Sequence, residues 1–160
     1  MIKVIVAGAA GRMGGRLVSL LKDSAALTLT GAVESKGHIS IGEDAGEIAG
    51  CGQTGVLIRD DLSAVMDRGE VVIDFSTPAA TLDHVRIASQ HRRAMVIGTT
   101  GFASRELEEF RALAKQIPCV FSPNMSVGVT RSGSVIRGPA FVRSSGRPPT
   151  SKQRRSLPGR

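Results

Sequence analysis

Residues 1–14 read MIKVIVAGAAGRMG, and no other stretch of the chain limits its fold so tightly. The β-branched residues before Gly8 favour an extended strand. From Arg12 onward, Met13, Leu17, Leu20 and Leu21 recur at helical spacing. Between the two patterns, Gly8, Gly11 and Gly14 form a GxxGxxG turn. A strand that passes through so short a turn into a helix must find its sheet partner across a crossover, and such partners run parallel.

The same step recurs. Leu27 to Glu34 alternates as a strand does, and the Gly-, Asp- and Ser-rich segment Ser35 to Thr54 reads as a loop with one helical turn. A short strand is expected near Val56 to Ile58, then a short helix capped by Asp60 or Asp61 and running through Met66. Val71 to Phe75 (VVIDF) is a continuous apolar run of the kind buried on both faces. Thr77 before Pro78 opens a helix to about Arg92, and Ala94 to Ile97 is the next strand. After GTTG, Ser104 is placed to cap a helix bearing Leu107, Phe110, Leu113 and Ala114, and Val120 and Phe121 form a last short strand. The expected fold class is therefore α/β, a doubly wound, Rossmann-like, mostly parallel sheet.

Charge divides the chain in two. Residues 1–129 carry 13 Lys and Arg against 14 Asp and Glu, whereas residues 130–160 carry 8 Lys and Arg and no acid. The net charge of +7 thus belongs to the last 31 residues, which hold 6 Ser, 4 Gly and 4 Pro but only 5 of Leu, Ile, Val and Phe. Such a segment buries too little apolar surface to offset the entropy of ordering, so 130–160 is expected as a disordered basic tail after one domain over 1–129. Two cysteines without a CxxC and three scattered histidines exclude a disulfide framework and a zinc site by spacing. No apolar run reaches the roughly 20 residues of a bilayer-spanning helix, the first residues lack signal-peptide form, and a cytoplasmic location is expected.

In a doubly wound sheet, ligands bind outside the carboxyl ends of the strands, where the turns at Gly8 to Gly14, Glu34 to Lys36, Phe75 to Pro78, Gly98 to Gly101 and Ser122 to Met125 fall. Gly8 permits the tight turn, Gly11 lets backbone approach a pyrophosphate, and Gly14 allows close helix packing. The helix N-terminus supplies unpaired N–H groups for the anion. Glu34, 20 residues after Gly14, suits the hydroxyls of an adenine ribose. Glu34 would repel a 2′-phosphate while Lys36 and Arg12 would attract one, leaving NAD and NADP both open. Lys36 also fits a solvated loop lysine, and GTTG fits a plain strand-to-helix turn. His84 and His91 read as partly exposed helix residues rather than as an acid or base.

VIVAGAAGRMGGRL, GEDAGEIAG, VVIDFSTPAATLDH, VIGTTG and SPNMSVGV together resemble the 4-hydroxy-tetrahydrodipicolinate (dihydrodipicolinate) reductases of lysine, or diaminopimelate, biosynthesis, over residues 1 to about 129. The resemblance implies an NAD(P)H-dependent oxidoreductase that reduces its substrate with loss of water to tetrahydrodipicolinate. It implies that Gly8, Ala9, Ala10, Gly11, Arg12 and Met13 cradle the pyrophosphate, with Gly14 behind them. It places Glu34 on the adenine ribose, Phe75 near the cofactor, Gly98, Thr99 and Thr100 on the nicotinamide side, and Ser122, Pro123, Asn124 and Met125 along the cleft. The family's usual arginine after the acid is here Ser35, which argues against a strong NADP preference. The family's His-His-Arg run with its lysine, and its Asp-Ala-Pro-Ser-Gly-Thr segment, are absent from these 160 residues, so no catalytic residue is assigned. The acid-free tail has the pattern of a shifted reading frame in a GC-rich gene. The expected partner is a nicotinamide dinucleotide, and the family homotetramer is not expected of this chain.

Two rival readings remain. A cationic tail on a non-catalytic nucleotide-binding module would engage nucleic acid, although Phe141 is the tail's single aromatic for base stacking. Another NAD(P)-dependent dehydrogenase would share the first domain but not GTTG together with SPNMSVGV.

Overall fold

Strand β1 (Ile2–Ala7) lies inside a sheet whose order is β3-β2-β1-β4-β5-β6-β7, in a computed structural model that describes residues 1–122 and 135–136. The other strands are β2 (Leu27–Val33), β3 (Ile58–Arg59), β4 (Val71–Asp74), β5 (Ala94–Ile97), β6 (Cys119–Phe121) and β7 (Val135–Ile136). β1 to β6 pair in parallel, and β7 adds an antiparallel edge with Val135 opposite Val120. The helices are α1 (Arg12–Lys22), α2 (Ala45–Ile48), α3 (Pro78–Gln90) and α4 (Ser104–Ala114), with a 3₁₀ turn at Ser63–Arg68. The α/β fold with a mostly parallel sheet is as the sequence predicts. The expected basic tail over 130–160 lies outside the described residues, apart from the backbone of β7.

Strand alternation explains why the apolar runs are continuous. Val4 and Val6 point into a core with Val18 and Leu21 of α1, Ala45 of α2 and Ile58, while Ile5 and Ala7 point into the opposite core. That second core holds Leu82 and Val85 of α3, Phe110 and Ala114 of α4, and Val65 and Met66 of the 3₁₀ turn. Both faces of β1 are thus covered, as parallel sheets require. Phe110 is fully buried and meets Phe102 and Phe121 with ring centroids 5.5 and 4.8 Å away.

Three local expectations need correction. The third strand is Ile58–Arg59 rather than Val56–Ile58, because the backbone just before it is taken by the preceding loop. Ala45 N–H donates to the Val56 carbonyl, and Leu57 bridges antiparallel to Asp44. The short helix after Asp61 is 3₁₀, with Asp61 Oδ1 accepting from Ser63 N–H at 2.9 Å. At α4 the N-cap is Ala103, not Ser104; Ser104 is already the first helical residue, and Glu106 reaches back to accept from Ala103 N–H at 2.8 Å.

Asp44 ties the long loop together. Its Oδ1 accepts from Gly46 N–H at 2.8 Å, from Glu47 N–H, and from both N–H and Oγ1 of Thr54 at 3.0 Å; its Oδ2 accepts from Gly55 N–H at 2.7 Å. Burial opposes ionisation, but these donors to the charged form outweigh it and hold the carboxyl down at about 2. One side chain thereby joins α2 to the segment that leads into β3.

Candidate functional site

The parallel strands bring their carboxyl ends to one rim, and a cleft of about 470 Å³ opens there. Gly8 and Gly11 from the first turn, Glu34, Ser35 and Lys36 after β2, and Asp60 after β3 form one side. Phe75, Ser76 and Thr77 after β4, with Ala80, Asp83 and His84 of α3, form the other.

The glycines are set by close approach. Gly8 sits at φ +75, a left-handed conformation that disfavours a side chain. A Cβ on Gly14 would fall 1.9 Å from the Gly8 carbonyl oxygen and 2.7 Å from Ala9 Cα, so the turn and α1 pack backbone on backbone. No side chain caps α1 at Gly11, and its first turn carries no acid, which leaves a positive helix end facing the rim. Glu34 stands directly against this turn. Its Oε1 accepts from Ala10 N–H at 3.0 Å, and its Oε2 from Ser35 N–H at 3.0 Å.

A buried polar chain runs behind the cleft. Asp74, wholly buried at the end of β4, accepts from Ser76 N–H at 2.8 Å and Ser76 Oγ at 2.6 Å through Oδ1. Its Oδ2 lies 2.8 Å from Nδ1 of His84, whose side chain is 17% exposed. Ser76 Oγ is 3.4 Å from Thr81 Oγ1, which is 2.7 Å from Thr99 Oγ1. Thr81 and Thr99 are both buried.

Of the residues singled out from sequence, Gly8, Gly11, Glu34, Lys36 and Phe75 meet at the cleft. Ala10 and Arg12 line an adjoining depression with Gly15, Arg16 and Ser19. Ala9 is buried in the core, Gly14 packs under Gly8, and Met13 is half exposed. Gly98 carries the Phe75 ring, whose Cε1 would stand 2.1 Å from an added Cβ; Thr99 is buried and Thr100 exposed. Ser122 is buried, and Pro123, Asn124 and Met125 lie outside the described residues. Sequence reasoning missed Asp60, Asp74 and Asp83 as site residues, included Ser76 and Thr77 only within the Phe75 to Pro78 turn, and read His84 only as a partly exposed helix residue. The signal available was Asp74 itself, an acid inside a run otherwise suited to burial on both faces.

Residues 2–125 match the family model described as dihydrodipicolinate reductase, N-terminus. Similar proteins include the 4-hydroxy-tetrahydrodipicolinate reductase of Syntrophus aciditrophicus, 45% identical over 129 residues, covering 81% of this chain and 48% of that one. That of Geotalea uraniireducens is 46% identical over 142 residues, covering 89% and 53%. The chain therefore spans about half the length of these curated relatives. Among solved structures, a dipicolinate-bound dihydrodipicolinate reductase from Paenisporosarcina sp. TG-14 shares the fold with a TM-score of 0.64 at 23% identity, covering 82% of this chain and 50% of that one. An amine dehydrogenase from Mycobacterium smegmatis shares it with a TM-score of 0.57 at 24% identity, over 74% and 37%.

Proposed function

This chain belongs to the dihydrodipicolinate reductase N-terminal-domain family, and from that premise we propose that it holds a reduced nicotinamide dinucleotide, NADH or NADPH, in the cleft at the carboxyl rim of the sheet. The observation that carries the reading is the Gly8 to Gly14 turn, where Gly14 lets the helix close on the Gly8 carbonyl and the uncapped start of α1 faces the rim. A pyrophosphate is the anion such a turn accommodates. Glu34 is fixed by two backbone N–H groups at the tip of β2, where an acid is placed to receive a ribose diol. Phe75, seated on Gly98, supplies an apolar wall between the turns after β4 and β5.

When bound, the dinucleotide supplies a hydride. The residues present here bind and orient it. Gly8 to Met13 receive the phosphates, Glu34 the adenine ribose, and Lys36 the outer edge of that subsite; Gly98, Thr99, Thr100 and the segment Ser122 to Met125 attend the nicotinamide half. In a reductase of this family the acceptor is the hydroxylated tetrahydrodipicolinate precursor, which loses water. Groups to hold its carboxylates and to protonate it belong to segments that these 160 residues do not contain, so the chain carries the binding half of the reaction. Titration of the 160-residue chain with NADH, followed by nicotinamide fluorescence, should saturate at one site. It should also show no turnover of the precursor above a protein-free control. Absence of saturation up to millimolar NADH would overturn the binding assignment.

A further inference from the structure

Asp74 is a wholly buried carboxylate with donors on both oxygens, and the direction of each hydrogen bond around it follows from chemistry alone. A carboxylate only accepts. Ser76 Oγ, at 2.6 Å, must therefore spend its one proton on Asp74 Oδ1. It has only lone pairs left for Thr81, so Thr81 Oγ1 donates to Ser76 across 3.4 Å. Thr81 in turn has only lone pairs for Thr99, and Thr99 Oγ1 donates across 2.7 Å. The three hydroxyls point one way, from the turn after β5 through α3 to the end of β4.

On the other oxygen the same logic fixes a histidine. Nδ1 of His84 is 2.8 Å from Oδ2 and must carry a proton. The neutral ring then has its lone pair on Nε2. His84 lines the cleft while Asp74 does not. In that neutral form the nitrogen left without the carboxylate is an acceptor.

We propose that Asp74 is a positioning residue for dinucleotide binding: one buried carboxylate sets His84 as a hydrogen-bond acceptor at the cleft and, through Ser76, Thr81 and Thr99, orients the Gly98–Thr100 turn beside it. The proposal rests on the dinucleotide reading above. It adds that α3, on one side of the cleft, and the turn after β5 next to it are held by a single charge. His84 meets a donor of the bound nucleotide, an exocyclic amine or a ribose hydroxyl, and it does so only in the tautomer that Asp74 selects.

The test uses the full 160-residue chain and NADH. Asp74→Asn keeps the side chain's shape, and its carbonyl is claimed by the two Ser76 donors. Its amide NH2 is then turned toward His84 and forces the ring to the opposite tautomer. Nitrogen NMR of the imidazoles should show Nδ1 protonated in the parent and Nε2 protonated in Asp74→Asn, and the NADH Kd should rise roughly tenfold, the scale of one hydrogen bond. Thr99→Val removes the far donor and should raise Kd several-fold with the His84 tautomer unchanged, whereas Thr99→Ser should restore parental binding. A role in stability alone would move neither the tautomer nor the difference between Val and Ser at equal folded fraction. An Asp74→Asn protein that folds and keeps both the tautomer and the Kd overturns the proposal. Should that variant not fold, Thr99→Val decides, and parental affinity there overturns it. If the parent itself does not bind NADH, the dinucleotide reading falls and takes this proposal with it; if the parent binds and the variants bind equally, only the proposal falls.

Discussion

Asp44 and Asp74 are both buried acids, and they do different things with their lone pairs. Asp44 receives donors from α2 and from the Thr54–Gly55 segment and stabilises that connection; Asp74 receives donors from the turn after β4 and from α3 beside the cleft. For Asp44 the consequence is a pH dependence with a defined sign. Its folded carboxyl titrates at about 2, below the ordinary 3.8, so the stabilisation is complete above about pH 4 and is lost as pH falls through about 2. Asp44→Asn should lower the urea midpoint at pH 7 and make it less steeply dependent on pH between 2 and 4 than in the parent. Equal slopes in the two proteins would remove Asp44 as the cause. Neither network was legible as such. Asp74 and His84 are ten residues apart in sequence, and only the packing of α3 against the end of β4 brings their side chains together. The glycines were legible because their reason is local: the turn, its positive φ and the close packing lie within seven residues.

At the level of elements, the strand-turn-helix units could be read directly, since each encodes its own period and its own stop. β3 could not, because its start is set by the Asp44 loop, which captures the backbone before it. The junction of β1 and α1 is the element on which fold and proposed function both depend. Glycine inside a helix costs about 1 kcal/mol relative to alanine, so propensity alone favours Gly14→Ala. Geometry decides otherwise, because a Cβ 1.9 Å from a backbone oxygen can be relieved only by moving α1 off the turn. Gly14→Ala is expected to destabilise the chain by about 1–3 kcal/mol, the usual range for overpacking, and to weaken NADH binding. Urea unfolding of this variant beside Gly15→Ala gives the comparison. A Cβ at Gly15 would meet only Ala49, at an ordinary 3.8 Å, so that variant should be neutral or stabilising.

For the whole molecule, the useful reporter is a thiol. Cys119 sits in β6 and is 3% exposed, and burial pushes its pKa up to about 12, whereas Cys51 is half-buried on the loop after α2. A thiol reagent at pH 8 should therefore label Cys51 quickly and Cys119 only when the sheet opens. A ligand present at a hundred times its Kd should slow Cys119 labelling by about the 2.7 kcal/mol that mass action supplies. Equal labelling rates for the two thiols would show that β6 is not protected.

The common direction of β1 to β6 has a practical side. β1 starts at Ile2 and runs six residues before reaching Gly8 at the cleft, so the amino terminus emerges on the far rim, about 20 Å away. An affinity tag or a sensor chip attached through Met1 would hold the molecule by its back, with the mouth of the cleft turned to the flowing solution.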